Sequence, residues 1–226
     1  MEEIRLNKYL ATNLGVSRRE ADDLIDAGKV SVNGETAVLG ARIQNGAKVL
    51  VNGREVEHRD FVYIMLNKPA GYVCSRKRQG DTPTMYELLP ENLRALKSVG
   101  RLDKNSSGLI LLTNDGDLAY QMTHPKFVKT KIYEVEIDRD LAPLHQQMIA
   151  DFGVNLPDGR SQLGLTRISD ENRKQWIVSM SEGRNRQIRR TFEALGYTVV
   201  KLHRTQFGPY ALGELQSGEF VETNKK

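Results

Sequence analysis

Along the first 57 residues, apolar positions recur first at helical and then at strand spacing. Leu6, Tyr9, Leu10 and Leu14 stand three and four apart, which predicts a helix over residues 5–14, ended by Gly15 as a left-handed cap. Ser17 with Glu20 three positions on is the pattern of a capping box. It opens a second helix with Ala21, Leu24 and Ile25 on its apolar face and Gly28 as its stop. Val30 and Val32 then lead into Asn33-Gly34, and Val49–Val51 into Asn52-Gly53. Asn-Gly is the strongest short-range hairpin signal, because both central residues of its turn need positive φ. The pattern predicts a compact module of two helices and a small sheet, ending near residue 57.

The charged stretch 54–60 (REVEHRD) reads as a linker, and an apolar strand over Phe61–Leu66 opens a second, larger unit. Within it, Ile132–Ile137 and Trp176–Met180 alternate as half-buried strands do. Pro143–Phe152 and Gln187–Leu195 have helical spacing. The expected fold is α+β: a small N-terminal domain over 1–57, then a domain over 58–226 with a mixed, mostly antiparallel sheet. The tail Asn224–Lys226 is expected to fray.

Composition narrows the class. No apolar run approaches the ~20 residues that cross a bilayer, and the start Met1–Arg5 lacks the basic and apolar regions of a signal peptide. The single cysteine, Cys74, excludes an internal disulfide, and His58, His124, His145 and His203 lie too far apart to suggest a metal site. A reducing cytoplasm is the expected compartment. Net charge is +4 with a pI of about 9.1, a hint of a polyanionic partner. Residues 1–60 hold nine Lys/Arg against ten Asp/Glu, and the remainder 24 against 19, so the basic excess sits in the larger unit.

Three stretches carry candidate chemistry. In Gly100-Arg101-Leu102-Asp103-Lys104-Asn105-Ser106-Ser107-Gly108-Leu109, an acid stands in a hydroxyl-rich loop ahead of the apolar run Ile110–Leu112. It can face a cleft, or simply bond backbone N–H groups of its own loop. In Lys129–Val135, Tyr133 is an in-strand aromatic whose ordinary role is packing. In Ser181–Arg190, Arg184, Arg186, Arg189 and Arg190 fall within seven positions with no acid after Glu182, so an anion or a buried carboxylate is their natural counterpart.

Together, GRLDxxSxGLxLLTNDG, KxYEV and SEGRNRQIRR, in that order and spacing, resemble the RsuA-type family of bacterial ribosomal RNA pseudouridine synthases. Met65–Pro69 with Gly71, Thr123–Lys126 and Lys201–Gly208 extend the match, and residues 1–57 resemble the S4 RNA-binding domain that precedes the catalytic domain in that family. The resemblance implies Asp103 as the catalytic aspartate, Tyr133 as the active-site tyrosine and Arg189 as the aspartate's basic partner, with Arg190 the alternative one position on. It gives Arg101 the task of filling the gap left by a flipped base. It implies no cofactor and no metal, and ribosomal RNA or an assembling ribosomal subunit as partner, met by a monomer without a membrane. The run Gly183–Arg190 is closer to members acting on large-subunit RNA.

These residue types suit the reaction. Pseudouridine formation breaks N1–C1′, turns the base and joins C5 to C1′, so it needs neither reductant nor water, but the base must leave its stack. A carboxylate can serve as nucleophile or base, and an opposite charge beside it favours the ionised form. RNA contacts are expected from Arg5, Lys8, Arg18, Arg19 and Lys29 in the small domain and from Arg101, Arg184, Arg186 and Arg190 in the large one. Against the small domain stand Asp22, Asp23 and Asp26 on its second helix. Arg76-Lys77-Arg78 is a further contact or an exposed loop. Rival classes fit less well. A non-catalytic S4-type protein has no need of Asp103, Tyr133 and Arg189 together. A glycoside hydrolase needs a second placed carboxylate, which Asp115 in a turn does not supply, and a nuclease needs paired histidines or metal-binding acids.

Overall fold

A computed structural model describes residues 3–226; Met1 and Glu2, part of the stretch read for a signal peptide, lie outside them. The small domain runs β1 (Glu3–Arg5), α1 (Leu6–Leu14), α2 (Arg18–Asp26), β2 (Val30–Val32), β3 (Glu35–Thr36), β4 (Arg42–Gln44), β5 (Val49–Val51) and β6 (Arg54–Glu55). Gly15 caps α1 in the left-handed region at φ 75°. The Ser17 hydroxyl accepts from Glu20 N while the Glu20 carboxylate accepts from Ser17 N, which is the capping box read from sequence. Asn33-Gly34 and Asn52-Gly53 all have positive φ, as type I′ turns require. They set the two-residue hairpins β2–β3 and β5–β6 of an antiparallel sheet ordered β3-β2-β5-β6. The core is Leu6, Leu10, Ala21, Ile25, Val30 and Ile43, with Val49 and Val56. The expected linker is therefore shorter than 54–60, since Arg54–Glu55 pair in the sheet and Val56 is buried.

The large domain continues with β7 (Tyr63–Lys68), β8 (Lys97–Val99), β9 (Ser107–Thr113), α3 (Gly116–Thr123), β10 (Lys131–Ile137) and α4 (Pro143–Gln147), which passes into a π-helical turn to Phe152. It then runs β11 (Val154–Leu156), β12 (Gly159–Ser161), β13 (Gly164–Arg167), β14 (Gln175–Met180), α5 (Gln187–Glu193), β15 (Val199–Phe207), β16 (Tyr210–Ala211) and β17 (Phe220–Thr223). The first strand begins two residues later than the apolar run suggested, and Phe61 stays half exposed. Among the described residues the main sheet has nine strands, ordered β13-β14-β10-β15-β9-β7-β17, with β16 on β15 and β8 on β9. Every pair is antiparallel except β9 with β15. One sheet face packs Ile110, Leu112, Tyr133 and Val135 against α5 through Ile188 and Phe192. The other packs Leu109 and Leu111 against α3 through Leu118 and Met122.

The parallel pair closes on Gly108, at φ 103°. A Cβ there would meet the Arg204 carbonyl oxygen at 2.2 Å, so only glycine lets β15 approach the start of β9. The tail does not fray. Lys225 Nζ pairs with the buried Asp115 at 2.8 Å, and Lys226 N donates to Tyr210 Oη, so a charge partner and a buried tyrosine hold it down. Asp115 itself caps α3, accepting from Asp117 N and Leu118 N.

Candidate active site

Asp103 follows β8 in a loop pinned from several elements. Gly71 N donates to Lys104 O at 2.7 Å, Arg189 Nη2 to Asn105 O at 2.8 Å, and Lys104 Nζ to Thr82 Oγ1 at 2.9 Å. Ser106 N closes a turn on Asp103 O. The segment after β7 adds a thiol, since Leu102 N and Cys74 Sγ lie 3.3 Å apart. With its backbone spoken for, the loop holds the Asp103 side chain about one-third exposed.

One cation lies within ion-pair reach of that carboxylate. Arg186 Nη1 lies 4.0 Å from Asp103 Oδ2, from a residue held at φ 47° just ahead of α5. Arg189, expected as the partner, makes no ion pair with Asp103. Its guanidinium donates to Val199 O and Asn105 O and so braces the loop from β15. Burial and the neighbouring Arg186 lower the Arg189 pKa, and the charge of Asp103 opposes them. Lys68 is fully buried at the end of β7 and donates to Pro69 O and Tyr72 O. Burial pushes it down to about 8, with Cys74 and Asp103 pulling the other way.

Tyr133 lies in the same core as Leu102 and Ile188, opposite Val178 on β14 and Arg204 on β15, at a register shift between Ile132 and Tyr133. Such a bulge re-aims a side chain. The ring is buried, yet its hydroxyl is neither hydrogen-bonded to the described residues nor sealed from the surface. Arg101 is exposed, without an ion pair or side-chain hydrogen bond among the described residues.

The arginine run divides. Arg184 and Arg190 grip the two oxygens of Asp158 at 3.0 and 2.6 Å, and Arg184 also donates to Asp158 O, Gly159 O and Arg160 O. Their partner is not a buried carboxylate but the partly exposed Asp158, in the β11–β12 turn. Sequence gave no sign of it, since Pro157-Asp158-Gly159 reads as a plain turn. A second group that sequence reading missed is Ser107 Oγ, 2.9 Å from His203 Nδ1, tying β9 to β15 just after the Asp103 loop.

In the small domain, Lys8 is likewise taken, by Asp117 on α3 at 2.6 Å across the two domains, and Arg18 donates to Asn7. Arg5, Arg19 and Lys29 are exposed. Arg76 donates to Ala95 O and Leu96 O and Arg78 pairs with Glu87, which leaves Lys77 as the unengaged cation of that triplet. Among the described residues, no group of three or more His, Cys, Asp or Glu is placed to hold a metal ion, and no helix is long and apolar enough to cross a membrane.

An acid on a braced loop, partly exposed and with an arginine at ion-pair distance, is an arrangement for charged chemistry on a polyanion. Comparison with known proteins agrees with that class. The RNA pseudouridylate synthase profile matches residues 62–194 and the S4 domain profile residues 4–47. The chain belongs to the RNA pseudouridylate synthase family, in its S4-bearing RsuA-type branch, and is an RNA pseudouridine synthase. It is 33% identical to the ribosomal large subunit pseudouridine synthase B of Bacillus subtilis (strain 168), over 96% of this chain and 91% of that one. It is 36% identical to the dual-specificity RNA pseudouridine synthase RluF of Escherichia coli (strain K12), over 96% and 74%. A crystal structure of a pseudouridylate synthase superposes with a TM-score of 0.69 at 32% identity, covering 98% of this chain and 96% of that one.

Proposed function

We propose that this enzyme isomerises a uridine of ribosomal RNA, large-subunit RNA before small-subunit RNA, with Asp103 as the reacting carboxylate. The observation that carries the reading is the single acid on the braced loop, partly exposed and 4.0 Å from Arg186. The B. subtilis relative, similar over nearly its whole length, is named for the large subunit. In this reading the target base leaves its stack and enters beside Tyr133, and Arg101 occupies the gap. Asp103 then acts on the sugar or the base as nucleophile or base while N1–C1′ breaks. The turned base joins C5 to C1′, and the C5 proton is lost as N1 gains one. Arg186 holds the carboxylate's charge, and Arg189 holds its loop.

Asp103→Asn tests this, because an amide of nearly the same shape is neither nucleophile nor base. Pseudouridine formation in ribosomal RNA is expected to fall by several orders of magnitude, with RNA affinity within a few-fold of the parent, roughly. Mapping pseudouridine in ribosomal RNA from cells with and without the gene identifies the site. Turnover by Asp103→Asn within about ten-fold of the parent would sink the assignment.

A further inference from the structure

Outside the site, one exposed feature goes unused by the chemistry. Tyr120, His124 and Phe127, from the end of α3 and the loop after it, gather their rings at the surface. Tyr120 lies 4.7 Å from His124 and 5.8 Å from Phe127, centroid to centroid, the latter edge-on. Tyr120 is 48% exposed and the neighbouring Val128 72%. Lys126 sets its ammonium 4.8 Å from the Phe127 ring. From Leu118 to Tyr133 the chain carries Lys126, Lys129 and Lys131 and no acid.

The segment that carries the cluster touches the loop leading to Asp103 and the end of β15. On one side, Thr123 packs against Gly100, the residue before Arg101. On the other, Lys129 and Met122 pack against Gly208, and Lys131 Nζ donates to Glu182 O, four residues before Arg186, which lies near Asp103. An exposed tyrosine with two half-buried rings beside it, flanked by Lys126 and Lys129, suits a single strand of nucleic acid, since every base offers a π-face and lysines meet phosphates.

We propose that Tyr120, His124 and Phe127 form a stacking platform for unpaired bases flanking the target uridine. This rests on the synthase reading and adds to it a surface that selects unpaired over duplex RNA. The platform holds the strand that Asp103 works on and takes no part in bond making.

The test uses the full chain and two fluorescein-labelled probes, a dodecauridylate and an RNA duplex of equal length. Stacking energies predict that Tyr120→Ala/Phe127→Ala weakens dodecauridylate binding roughly 5- to 150-fold per base lost. The duplex should stay within about two-fold, and the slope of log K against log salt should not change, because no phosphate contact is removed. Tyr120→Leu/Phe127→Leu keeps apolar volume without the π-face and is expected to lose the same affinity, so a packing effect of alanine is told apart. Tyr120 is exposed and Phe127 half-buried, so Tyr120→Ala alone is measured alongside, and its melting temperature should match the parent while single-strand affinity still falls.

Single-strand affinity within about two-fold of the parent in either variant overturns the platform and leaves the rings to a protein partner; equal losses on both probes overturn it too. Pseudouridine formation by the parent on a ribosomal RNA transcript is measured alongside. If the parent forms none, the synthase reading fails while the two probes still decide the platform. If it forms pseudouridine and the variants bind as it does, the platform alone fails.

Discussion

Arg186 and Arg189 lie three positions apart and do different work. Arg186 is about half exposed and offers its charge to Asp103, whereas Arg189 is half buried and satisfies two backbone carbonyls. Arg186→Ala is expected to cut turnover at least ten-fold, roughly, with an unchanged melting temperature, because it removes a counter-charge and no buried bond. Arg189→Ala should cut turnover and also lower stability by about 1–3 kcal/mol, as it strips donors from Asn105 and Val199. Thermal melts and single-turnover rates on both variants check the division; equal melting temperatures would refute it. Lys68 gives a pH signature. Its pKa falls from 10.5 unfolded to about 8 folded, so between those values the unfolded chain binds more protons and stability attributable to Lys68 rises with pH. Below about 8 both states are charged and the burial penalty is constant. The stability of the parent minus that of Lys68→Met, from urea titrations, should therefore climb from pH 8 towards pH 10.5, and a flat difference would contradict the burial argument. At this scale motif order pointed to candidate residues, but not to which arginine faces the acid. Three residues of helix register separate the two, and a left-handed residue just before α5 resets the aim of the run.

At the scale of elements, what was legible was local. The capping box, the Gly15 cap and both Asn-Gly turns have their determinants within four residues, so their patterns survive folding intact. Asp158 was not legible, because its partners Arg184 and Arg190 are 26 and 32 positions away and meet it only when the β11–β12 hairpin packs beside α5. The tail was misread for the same reason, as Asp115 is 110 positions from Lys225. The contact at Gly108 is the firmest element-scale constraint. Gly108→Ala must push β15 off β9 or abandon a positive φ, and should destabilise by about 2 kcal/mol or more. Since Ser107 and Asp103 sit at that strand start, turnover should fall further than stability alone accounts for. A Gly108→Ala protein that melts with the parent would show that β15 can shift freely.

Across the whole molecule, the hydrophobic cores do not mix. The small domain's core ends at Val56 and those of the large domain begin at Ile64. What joins the domains is polar: Lys8 with Asp117, Lys97 Nζ on Val16 O, and Arg59 N on Asn13 Oδ1. A protein of residues 58–226 should therefore fold cooperatively, losing only surface bonds of the kind worth about 1 kcal/mol or less each. It keeps Asp103, Tyr133, Arg186 and Arg189, so the defect should fall on kcat/KM at low substrate rather than on kcat. Charge sets the size of the effect. With Lys8 paired to Asp117 and Arg18 bonded to Asn7, the expected contacts left to meet phosphate are Arg5, Arg19 and Lys29. Three phosphate contacts correspond to a change of ~2–3 in the slope of log K against log salt, and Asp23 and Asp26, exposed on the same helix as Arg19, favour the lower end. Binding of full-length and shortened protein to a ribosomal RNA transcript across a salt series measures it. Equal slopes and affinities would show that the small domain binds something other than RNA, and a shortened protein that melts without a cooperative transition would show that those few polar bonds hold the large domain together.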